Sequence, residues 1–155
     1  MHVLIATTGA LDPELTVAFT GRLIVGGGRV TVATVVGVPH EFLDTLEQEA
    51  IGARTTPTSE RRRYVEERGR RATEGMQNAF AAAGIGTDIV YLEGDDPADR
   101  IAEAARDLDA DIVVLGATRQ LFDQSSWESV SARLMLECDR PVLVVPARIR
   151  QPQET

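Results

Sequence analysis

Ile112-Val113-Val114-Leu115 is a run of four apolar residues, three of them β-branched, that follows Ala110-Asp111 and stops at Gly116. No polar residue alternates within it, so as a strand it must be covered on both faces. Four other runs share its character. They are Val3-Leu4-Ile5-Ala6, Val30-Thr31-Val32-Ala33-Thr34-Val35-Val36 entered from Gly26-Gly27-Gly28, Thr87-Asp88-Ile89-Val90-Tyr91-Leu92, and Val142-Leu143-Val144-Val145 between Pro141 and Pro146. β-branched residues dominate them, and the first, fourth and fifth are apolar on both faces. Short strands of this kind belong in a parallel sheet sandwiched between helices.

The segments between the runs read as those helices. Ile101, Ala104, Ala105 and Leu108 recur at spacings of three and four after the start signal Asp95-Asp96-Pro97. Val65, Gly69, Ala72, Met76, Ala79 and Ala83 mark one face of a longer helix ending near Gly84. Leu11, Leu15, Ala18, Phe19 and Leu23 predict the buried face of the first helix. Ser125-Ser126-Trp127-Glu128 reads as a capping box, with Val130 and Leu134 on the buried side beyond it. Alternating strands and helices define an α/β fold. The connection from Gly37 to about Thr58 is long, and Phe42, Leu43, Leu46 and Ala50 suggest a short amphipathic turn of helix inside it. One domain over residues 1–147 is expected, with a frayed tail at 148–155.

Composition excludes several chemistries. The 155 residues carry 16 basic side chains, all Arg, against 24 acidic ones, for a net charge of −8. Without Lys there is no P-loop lysine and no Schiff-base nucleophile. The acidic balance argues against duplex nucleic acid or an anionic membrane as partner. A lone Cys138 forms neither an internal disulfide nor a thiolate cluster, and His2 and His40 lack zinc-ligand spacing, so no metal site is expected. No apolar run reaches the ~18–20 residues that span a bilayer. Met1-His2-Val3-Leu4 has no basic segment before its apolar run, so no signal peptide and a cytoplasmic location are expected.

In an open parallel sheet, ligands bind beyond the carboxyl ends of the strands where the strand order reverses. The residues to inspect are therefore Thr7-Thr8-Gly9-Ala10 and Gly116-Ala117-Thr118-Arg119. Here the chain resembles the universal stress protein family from Val3 to Pro146. Leu4-Ile5-Ala6-Thr7, Gly94-Asp95-Asp96-Pro97, Ala110 to Gly116, Ser129-Val130-Ser131-Ala132-Arg133 and Arg140-Pro141-Val142-Leu143-Val144-Val145 carry the resemblance by their order and spacing. The resemblance implies an open five-stranded parallel sheet of order 3-2-1-4-5 with helices on both faces, Rossmann-like and akin to the adenine nucleotide alpha hydrolases. It also implies a homodimer through the last strand. The edge run Val142, Leu143, Val144 and Val145 would by itself expose unpaired backbone and invite a second copy.

ATP-binding members of that family carry Gly-x2-Gly-x9-Gly-Ser/Thr after the fourth strand and an Asp after the first. In this chain Gly116 remains, Arg119 stands at the second glycine, Glu128 or Ser129 at the third, and Thr8 at the Asp. The resemblance thus places Thr7, Thr8, Val36, Gly116, Arg119, Ser129 and Val130 around a degenerate crevice. Side chains at glycine positions narrow the approach of backbone N–H groups to phosphate. Ser125 and Glu128 are placed to satisfy the helix N-terminus themselves, and Asp123 and Glu128 add negative charge there. Arg119 is the counter-signal, since a guanidinium can clamp phosphate.

Other groupings have plainer readings. Asp107, Asp109 and Asp111 lack the Gly and Glu of a calcium loop and read as a helix-to-strand connection. Arg61, Arg62, Arg63, Arg68, Arg70 and Arg71 interleave with Glu66, Glu67 and Glu74, predicting the pairs Arg62–Glu66, Arg63–Glu67 and Glu67–Arg71 on a solvated face. No nucleophile–base–orienter set emerges. The expectation is a non-catalytic, dimeric stress-response protein without a cofactor, acting through contacts with a protein partner. The alternative is a nucleotide- or anion-binding regulator, or slow ATPase, that takes ATP or AMP in a modified crevice at the ends of strands one and four.

Overall fold

The computed structural model describes residues 1–41, 44, 57–116 and 128–146. Five strands form one parallel sheet: β1 (His2–Ala6), β2 (Arg29–Val36), β3 (Asp88–Glu93), β4 (Ile112–Gly116) and β5 (Val142–Val145). Their spatial order is β3-β2-β1-β4-β5, which puts the reversal of strand order between β1 and β4. Ile5 lies beside Val32 on one side and Val114 on the other. The helices are α1 (Pro13–Leu23), α2 (Pro57–Ala82), α3 (Pro97–Asp107) and α4 (Glu128–Glu137). The amphipathic turn read at Phe42, Leu43, Leu46 and Ala50, the capping box at Ser125–Glu128 and the 148–155 tail lie outside the described residues or side chains.

Every residue of β1 is buried, as the non-alternating run requires. Leu4 and Ala6 enter a cluster with Ile101, Ala105, Val130 and Leu134 of α3 and α4. Val3 and Ile5 face the other way, into a cluster with Leu11 and with Met76 and Phe80 of α2. The sheet is therefore covered on both faces. Asp12 and Asp96 cap α1 and α3 through the amides of Leu15 and Asp99, each with a proline at the first helical position. Gly84, at φ 76°, ends α2 with Ile85 N–H donating to Phe80 O at 2.9 Å.

The face of α1 differs from its prediction. Leu15 and Phe19 stay 43% and 42% exposed, Ala18 is exposed, and Thr16 and Thr20 are the buried residues. Thr16 satisfies its hydroxyl by donating to Asp12 O at 2.6 Å, so its methyl group can be buried without leaving a polar atom bare. Cys138 sits just past α4, half-buried beside the α3–α4 cluster.

Candidate functional site

The carboxyl ends of β1, β2 and β4 open into a crevice closed by the N-terminal turns of α3 and α4. Ala6, Thr7, Thr8, Ala10 and Leu11 form one wall, and Thr34 and Val35 of β2 another. Pro97 and Ile101 come from α3, Leu115 and Gly116 from β4, and Val130 and Ser131 from α4. The cavity is about 50 Å³. That is room for a few waters, at ~10–15 Å³ each, and below the ~300 Å³ at which small-molecule sites begin. None of the described residues lining it is charged.

Of the residues singled out in the sequence, Thr7, Thr8, Gly116 and Val130 meet in this crevice. Val36 does not line it and packs instead with Val38 and Val65. Ser129 lies in the first turn of α4, and Arg119 and Asp123 fall outside the described residues. Thr7 is buried, its N–H donates to Ala33 O at 2.9 Å, and its hydroxyl accepts from Gly9 N–H at 2.9 Å. Gly9 has φ 97°, a conformation that favours glycine, so this hydroxyl holds a tight turn leading from β1 toward α1. Leu11 follows, and a Cβ placed on Gly116 would come within 3.0 Å of Leu11 Cδ1. The bare face of Gly116 is thus covered by a leucine.

Beside the crevice lies a cluster that the sequence pattern did not reveal. Arg133 of α4 donates to both Asp96 oxygens at 2.8 and 2.7 Å, to Asp99 at 3.0 Å and to Glu137 at 3.3 Å. The hydrogen bonds from Arg133 hold the Asp96 carboxyl below its ordinary pKa, and the same contacts raise Arg133. Asp99 is pushed upward, first by a hydrogen bond shared with Glu137 and then by burial. An exposed helix N-terminus attracts phosphate. Here the N-terminus of α3 is capped by a carboxylate, and one guanidinium is divided among three acids. Only their convergence in space shows this, since 37 residues separate Arg133 from Asp96.

The remaining groupings are structural. Asp109 takes φ 50° after α3, and its carboxylate accepts from Arg140 at 3.1 Å. Asp111 accepts from His2 N–H at 2.6 Å. No cluster of metal-ligating side chains exists among the described residues. His2 is buried, with Nδ1 3.0 Å from Leu108 O and Nε2 2.7 Å from Thr31 Oγ1. On α2, Glu67 pairs with Arg71 as predicted, but Arg63 pairs with Glu60 in place of Glu67, and no Arg62–Glu66 pair forms. Arg61 reaches across to Glu93, and Arg68 lies 5.1 Å over the Tyr64 ring.

A doubly wound parallel sheet with a crevice at its switch point defines the class of Rossmann-like α/β domains. Residues 1–146 match the universal stress protein family, and the chain belongs to it. A universal stress protein from Burkholderia pseudomallei superposes with a TM-score of 0.62 at 23% identity, over 94% of this chain and 96% of that one. A universal stress protein in complex with cAMP gives 0.56 at 18% identity, covering 96% and 98%. A family protein from Arabidopsis thaliana with AMP bound gives 0.58 at 18% identity, covering 96% and 92%. No curated protein matches the chain in sequence. Among the described residues, no helix is long and apolar enough to cross a membrane.

Proposed function

We propose that this universal stress protein is a non-catalytic cytoplasmic homodimer that acts in the stress response through contacts with a protein partner and holds no nucleotide. The observation that carries the reading is the crevice itself. It is uncharged among its described residues, about 50 Å³ in volume, and filled over Gly116 by Leu11. The two threonines after β1 supply no charge for a nucleotide or its metal, and Thr7 is already engaged by Gly9.

The dimer reading rests on β5. It is a sheet edge, paired with β4 on one side, and Val144 on that strand is 36% exposed. On α4, the helix that precedes β5, Met135 and Leu136 are 60% and 87% exposed, apolar surface of the kind that marks association.

A second reading is a nucleotide-binding regulator, favoured by the cAMP and AMP seen in two structurally similar family members. Calorimetry with ATP, AMP and cAMP separates the two. No heat at millimolar ligand supports the first reading. Binding that Arg119→Ala abolishes establishes the second.

A further inference from the structure

We propose that Leu11 shuts the switch-point crevice against nucleotides by packing over Gly116 at the carboxyl end of β4 and filling the room beside it. This inference rests on the reading of the crevice as empty of nucleotide. Leu11 is only 7% exposed, and its Cδ1 and Cα lie 3.0 and 3.7 Å from the position of a Cβ on Gly116. Glycine at the end of a strand is useful to a ligand because nothing projects from it. Here that advantage is taken up from within the chain.

Leu11 is also held in place from both sides. Upstream, Thr7 N–H is tied to Ala33 O and Gly9 N–H to the Thr7 hydroxyl. Downstream, Asp12 O accepts from both Thr16 N–H at 3.2 Å and Thr16 Oγ1 at 2.6 Å, and the Asp12 side chain caps α1. These bonds fix the backbone on either side of Leu11, so the residue as a whole stays beside Gly116. A ligand that displaced it would also return apolar surface to water, which weakens binding by about ten- to a hundredfold.

The test is calorimetric titration of AMP into the wild-type protein, Leu11→Ala and the milder Leu11→Val, which withdraws the δ-carbons from Gly116 with less loss of core. No heat is expected from wild type at millimolar AMP, and measurable binding, at least tenfold tighter than that limit, from Leu11→Ala. Folded Leu11→Ala and Leu11→Val proteins that give no heat would overturn the role of Leu11 while leaving the empty-crevice reading intact. Heat from wild type would overturn that reading and the inference with it. A measurement independent of ligand is the melting of Gly116→Ala. Its loss of melting temperature should shrink in the Leu11→Ala background, and an equal loss in both backgrounds would show that the two residues do not share this space.

Discussion

Replacing Val144 with proline should separate dimerisation from folding. Val113 N–H donates to Pro141 O, and Val113 pairs in register with Val142. In a parallel ladder alternate residues turn their backbone groups to the same neighbour. Leu143 and Val145 therefore bond β4, whereas Val142 and Val144 direct their N–H and C=O toward the free edge. Proline at 144 removes a donor that the fold does not use, as proline on an edge strand generally does. In a two-fold dimer paired through this edge, each copy loses one intersubunit hydrogen bond. At ~0.5–1.5 kcal/mol per bond, the dimer weakens by about 1–3 kcal/mol, or roughly five- to a hundredfold in Kd. Sedimentation velocity across a concentration series reads this directly, with Val144→Ala as the control that keeps the N–H. A Val144→Pro protein that dimerises like wild type, or a monomeric wild type, would refute the pairing.

Two glycines of α2 should respond with opposite signs. Gly75→Ala meets nothing within 4 Å and should raise stability by ~0.5–1 kcal/mol in urea denaturation. Gly69→Ala drives its methyl into the Tyr91 ring and should lower stability by ~1–3 kcal/mol in the same assay. Arg133→Gln should lower the melting temperature at pH 7, with the difference from wild type closing in acid. The sign follows from Asp96, whose depressed pKa makes its contribution full above the ~3.9 of a free aspartate and lost as pH falls through the folded value. Asp99 does not reverse this sign: Glu137 and burial raise its carboxyl in both proteins, whereas Arg133 pulls it down as it does Asp96.

Much of the architecture is written in local pattern. The run at Ile112–Leu115 needs cover on both faces whatever its neighbours are, and Asp96-Pro97 starts a helix by its own chemistry. The face of α1 was not legible. Counting apolar residues favours Leu15, Ala18 and Phe19, but a threonine that bonds its own backbone, as Thr16 does, carries its methyl group inward as well as a small hydrophobe does. The crevice was half legible. Thr7, Thr8 and Gly116 follow from where strands end and Val130 from the family resemblance, whereas Thr34, Pro97, Ile101 and Ser131 join them only through strand order and helix placement. Leu11 read simply as a core residue of the first helix. Its position over Gly116 depends on two loops 105 residues apart in the chain, and no sequence spacing encodes that.

The most direct test of an empty crevice is the nucleotide content of the protein as purified. Acid release followed by chromatography and mass spectrometry should yield no adenine nucleotide in stoichiometric amount. One equivalent of ATP, AMP or cAMP per protomer would contradict the account.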